Sequence, residues 1–61
     1  MKKVKTLKNF VIAETNEKER QEGQSEYIIF TKEEYSFGEG CRYPEHETGS
    51  IKEAEEFINN Y

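Results

Sequence analysis

Tyr27-Ile28-Ile29-Phe30-Thr31 decides the fold of this chain. Aromatic and β-branched residues fill all five positions, which is the composition of a strand. Alternation puts Tyr27 and Ile29 on one face and Ile28 and Phe30 on the other, so both faces are apolar. A strand of that kind is central in its sheet and covered on two sides. The rest of the reading asks what 61 residues can supply as cover.

C-terminal to this strand, Ser50 to Tyr61 reads as a helix. Ser50 and Glu53 have capping-box spacing. Ile51, Ala54, Phe57, Ile58 and Tyr61 recur at helical intervals, while Lys52, Glu53, Glu55, Glu56 and Asn59 fill the opposite side. So short a helix is marginal by itself and must lay its apolar stripe on the sheet. N-terminal to the central strand, Val4 to Glu14 reads as another strand with neither face cleanly polar, either covered partly on both sides or carrying a bulge that switches faces near Lys8-Asn9. Thr15 to Ser25 is wholly polar and is expected to be a mobile loop over residues 15–25.

Between Thr31 and Ser50 the pattern is weaker. Thr31-Lys32-Glu33-Glu34 fits a polar hairpin turn, although Thr31 and Glu34 also have the spacing of a helix cap. Glu34-Tyr35-Ser36-Phe37 alternates polar and aromatic, which favours the hairpin and a third strand. Gly38 and Gly40 mark a turn or bulge, Cys41-Arg42-Tyr43 extends the strand, and Pro44 to Gly49 is loop. The expected architecture is therefore α+β: one domain over 1–61, a three-stranded antiparallel β-meander with one C-terminal helix packed on one face.

Composition limits the chemistry. A domain this small buries only about 60% of its unfolded surface and usually needs a supplementary source of stability. With one cysteine, Cys41, no internal disulfide can form. Cys41 and His46, beside Glu39, Glu45 and Glu47, lack the ligand spacing of a zinc site, so neither metal nor cofactor is expected. As nucleophile and base, Cys41 and His46 have no third orienting group and no evident cleft, which argues against an enzyme. Gly38-Glu39-Gly40 has a glutamate where a phosphate loop would need further glycines and a lysine, and reads as a backbone device.

Charge divides by region. Residues 1–10 hold Lys2, Lys3, Lys5 and Lys8 and no acid, a local +4; residues 11–61 hold five bases against 13 Glu, a local −8, giving the net −4. An acidic body argues against ordinary nucleic-acid binding. The run Met1-Lys2-Lys3-Val4-Lys5 is not followed by a signal-peptide h-region, and Phe10-Val11-Ile12-Ala13 is far too short to span a bilayer. Together with an unpaired thiol, this points to a cytoplasmic protein with no membrane partner. All the acids are Glu, Ala is scarce, and Lys, Asn, Ile, Tyr and Phe are frequent, a bias typical of AT-rich bacterial or phage genomes.

Four tyrosines and four phenylalanines are more rings than so small a core can hold. Tyrosine is the amphipathic contact residue of interfaces. With one helix to cover one face, the face carrying Tyr27 and Ile29 is expected to be bare. Tyr27, Ile29, Tyr35 and Tyr43 are the candidates for contact with a partner. The function expected is a small non-enzymatic protein-interaction module that binds another protein or itself, most simply as a two-fold homodimer. Two alternatives are an acidic decoy in a nucleic-acid-binding groove and a weak nucleic-acid binder through the N-terminal lysines.

Overall fold

The computed structural model describes residues 1–18, 20, 22–38 and 42–61. Among these the chain is α+β, with elements β1 (Lys2–Leu7), β2 (Phe10–Glu14), β3 (Tyr27–Thr31), α1 (Lys32–Ser36), β4 (His46–Thr48) and α2 (Ile51–Asn59). The four strands form one antiparallel sheet in the order β1-β2-β3-β4. The doubly apolar strand β3 is central, as its composition requires.

The stretch Val4–Glu14, expected as one strand, is a hairpin. Leu7 pairs with Phe10 across a two-residue turn, and Lys8 adopts φ 55°. Left-handed backbone is costly for a residue with a Cβ and is usually marked by Gly or Asn. Lysine at that position hides the turn from a reading of sequence. The change of face anticipated near Lys8-Asn9 is thus a full reversal of the chain. A β-bulge also lies between Lys3 and Lys5, with Val4 as the extra residue.

Two further expectations are corrected between β3 and α2. Thr31 ends β3 and caps α1, its hydroxyl oxygen accepting from the Glu34 N–H at 3.1 Å. The capping-box spacing therefore prevails over the polar–aromatic alternation of residues 34–37, of which Glu34, Tyr35 and Ser36 are helix and Phe37 its C-cap, not a third strand. Gly38, at φ 90°, ends the turn, donating its N–H to the Tyr35 carbonyl at 3.4 Å. Of the expected strand extension, Cys41 lies outside the described residues, and Arg42 and Tyr43 are not strand. The strand that completes the sheet is β4, inside the segment Pro44–Gly49 expected to be loop, so the sheet has four strands rather than three. Three residues are too few to show alternation.

The polar segment between β2 and β3 is tied at its base. Thr15 is buried; its N–H donates to the Glu26 carbonyl at 2.9 Å and its hydroxyl reaches the carbonyls of Ser25 and Glu26. Arg20 donates from Nε to Thr15 Oγ1 at 3.1 Å and from Nη2 to the Thr15 carbonyl at 3.0 Å. These bonds satisfy the polar groups where the chain leaves the sheet.

Register assigns the faces. Phe10, Ile12 and Ile29 lie on one side and form a buried cluster with Ala54 and Ile58 of α2, flanked by Leu7, Tyr27 and Phe57. The helix is capped as expected, Ser50 Oγ accepting from the Glu53 N–H at 3.2 Å. On the other side Ala13, Ile28 and Phe30 are buried with Met1 and Tyr35 packed against them. Val11, paired with Phe30, is buried on that side too. The face carrying Tyr27 and Ile29 is thus the one under α2, and the opposite face is closed by α1 and its surroundings. No face of β3 is bare.

Candidate protein-contact surface

The second lid is built from α1 outward. Tyr35 leans on Phe30, ring centroids 5.9 Å apart and tilted 58°. The guanidinium of Arg42 sits 3.7 Å from the Tyr35 centroid and 5.8 Å from that of Phe30. A planar, weakly hydrated cation over aromatic faces is a favourable arrangement. Arg42 Nε also donates to the Tyr35 carbonyl at 2.8 Å, placing positive charge where the last carbonyls of α1 point. One residue on, the Tyr43 N–H donates to Glu34 Oε1 at 2.9 Å. The segment 42–43 is therefore fastened to α1 by two hydrogen bonds and a stacked cation.

That fastening leaves two rings outside. Phe37, at the C-cap of α1, is 54% exposed, and Tyr43 is 80% exposed. Both donate their backbone N–H to Glu34, so the protein presents these large side chains from hydrogen-bonded backbone beside α1. Burying each in a contact would be worth about 1.5–3 kcal/mol.

The four candidate contact residues separate accordingly. Ile29 is 0% exposed beneath α2, so it cannot meet a partner while the chain is folded; its place in the core corrects the expectation. Tyr27 is half-buried on the same face, and its hydroxyl donates to Glu14 Oε2 at 3.3 Å. Burial, the charges of Glu14 and Glu26 and that hydrogen bond hold its phenol above its ordinary pKa of 10.0. Tyr35 is occupied by Phe30 and Arg42. Tyr43 alone of the four is fully available. Phe37, which is not among the candidates, joins it; the signal for it is the Thr31–Glu34 cap, which puts Phe37 at the end of a helix.

Other exposed rings are engaged within the chain. Tyr61 meets Phe10 edge-on at 4.9 Å and Phe57 at 5.7 Å, and its hydroxyl donates to Glu45 Oε2 at 3.4 Å. His46 stacks on Phe57 at 4.3 Å, and Glu47 Oε1 accepts from the Ser25 N–H at 3.1 Å. Glu39, Gly40 and Cys41, the rest of the reactive cluster and of the glycine turn, lie outside the described residues. Among the described residues no group of three or more His, Cys, Asp or Glu is placed to hold a metal ion, and no helix is long and apolar enough to cross a membrane. Comparison with protein-family models, with curated proteins and with solved structures finds no match to the chain.

Proposed function

We propose that this chain acts by binding another protein in the cytoplasm, without catalysis of its own, through the surface at the C-terminal end of α1. The observation that carries the reading is the pair Phe37 and Tyr43, both more than half exposed beside an Arg–Tyr stack. Tyrosine and arginine are the residues that dominate binding energy at interfaces, and rigid presentation lowers the entropy lost on association. The glutamates support protein binding over a phosphate-mimicking decoy. They are distributed over α1 (Glu33, Glu34), β4 (Glu47) and α2 (Glu53, Glu55, Glu56) instead of collecting on one element. Nucleic-acid binding through the lysines is disfavoured by the ion pair that already joins Lys5 to Glu55.

The test is affinity capture from the native extract with the parent chain and with the Phe37→Ser, Tyr43→Ser double variant. Both positions are exposed, so the variant should keep the parent's circular dichroism and melting curve. A partner held by the parent and held about 10-fold or more weakly by the variant is the expected result. Equal capture by both chains would move the contact elsewhere; no specific partner for the parent would overturn the reading.

A further inference from the structure

The sheet has two outer strands of opposite charge. β1 carries Lys2, Lys3 and Lys5, all exposed, with Lys8 just beyond it; β4 carries Glu47, with Glu45 just before it, both exposed. The cross-strand register turns this into geometry. One row of the sheet runs Lys3, Ala13, Ile28, Glu47; the rows on either side run Lys2, Glu14, Tyr27, Thr48 and Lys5, Ile12, Ile29, His46. Each row begins in a lysine, and the middle one ends in a glutamate.

We infer that copies of this chain associate edge to edge, β4 of one against β1 of the next. An outer strand presents backbone N–H and C=O groups that another strand can pair with. Four antiparallel strands make the direction correct without any reversal. Strands β1 and β3 run one way and β2 and β4 the other, so a copy set alongside offers its β1 antiparallel to β4. Continuing the middle row then places Lys3 of the second copy next to Glu47 of the first. Glu47 is held at the edge by the Ser25 N–H, which engages one of its two carboxylate oxygens. Pairing of β1 with β1 would set lysines against lysines, so the lysines that block like pairing select the unlike edge. Such a contact is heterologous and does not close at two copies. Three rows make it weak, and its charges make it sensitive to salt. It uses neither Phe37 nor Tyr43, so it stands or falls separately from the proposed partner surface.

Sedimentation equilibrium on the full chain tests it, from micromolar to millimolar protein, in about 0.01 M and about 1 M salt. At low salt the average mass should climb past that of a dimer as concentration rises, and at high salt it should return toward the monomer. Lys3→Glu and Glu47→Lys should each weaken association about 10-fold. An equimolar mixture of the two variants should restore it, as should both changes in one chain. Within one copy the two residues sit on opposite edges of the sheet, so a local structural effect cannot produce that rescue. The Phe37→Ser, Tyr43→Ser variant should associate like the parent. A monomer under all conditions, a closed dimer indifferent to salt, or a mixture that fails to restore association would each overturn the inference.

Discussion

The two faces of the sheet are closed by different means. Beneath α2 a stripe of the helix packs on the sheet: among the described residues Ile12, Ile29 and Ile58 are the largest fully buried side chains, joined by Phe10 and Ala54 and rimmed by Phe57. Beneath α1 the cover is a five-residue helix, one tyrosine ring, Met1 and an arginine held by stacking and a hydrogen bond. The first lid is a stripe of apolar side chains that any amphipathic helix could supply. The second depends on particular groups meeting at particular distances. The first should therefore carry most of the stability, and the second should carry the surface features that distinguish this protein from other small α+β domains.

The largest effect should come from the α2 face. Ile58→Ala removes a fully buried side chain and should cost about 2–5 kcal/mol, a large share of the stability of a domain this size. Thermal and denaturant melts would show it as a loss or deep weakening of the cooperative transition. A shift of only a degree or two would mean that the two lids contribute alike.

On the other face, Arg42→Ala should cost about 1–2 kcal/mol through the lost cation–π contact and the lost bond to the Tyr35 carbonyl. Arg42→Lys should recover less than half of that, since an ammonium keeps the charge but not the planar stack. Full recovery by lysine would show that charge near the end of α1 matters and stacking does not.

The contrast between the faces also explains what was legible in sequence. The α2 lid was readable because periodicity reports an apolar stripe: Ser50 and the spacing of Ala54, Phe57 and Ile58 announce both the helix and the side it lays on the sheet. The β3 strand was readable for the same reason. The α1 lid was not, because its cover depends on Arg42 folding back seven residues onto Tyr35, and no local pattern encodes that return. Without it, β3 has one more apolar face than the local patterns can cover, and the expectation of an interface falls where the protein closes on itself. The faces were also exchanged: alternation gives two sets of residues but not which set the helix takes. Of the candidate site, Tyr43 was legible as a surplus aromatic, whereas Phe37 needed the helical cap at Thr31 to be preferred over alternation. The hairpin at Lys8 and the strand β4 escaped because one lacks a glycine signal and the other is only three residues long.

The smallest effect is a titration. Tyr27 lies on the α2 face, and its phenol should ionise above its ordinary pKa of 10.0 because burial, the charges of Glu14 and Glu26 and the bond to Glu14 all favour the neutral form. Ultraviolet titration near the phenolate band would measure it, with Glu14→Gln moving the transition back toward the ordinary value. The sign for stability follows from linkage. A group whose folded pKa is raised stabilises fully below its unfolded pKa, and that contribution is lost as pH rises from about 10 through the folded value. Stability that rises across this interval, or a transition unmoved by Glu14→Gln, would place Tyr27 outside this environment.

The most direct test asks whether both faces of β3 are shielded by the protein's own chain. Methyl resonances of Ile28 and Ile29 report the two faces separately, and Val4, exposed in the bulge of β1, serves as the internal reference. A soluble paramagnetic probe added to a dilute, monomeric sample should broaden the Val4 methyls strongly. It should leave Ile28 and Ile29 equally sharp. Attenuation of Ile28 comparable to that of Val4, with Ile29 untouched, would show the α1 face open in the monomer and would contradict the account.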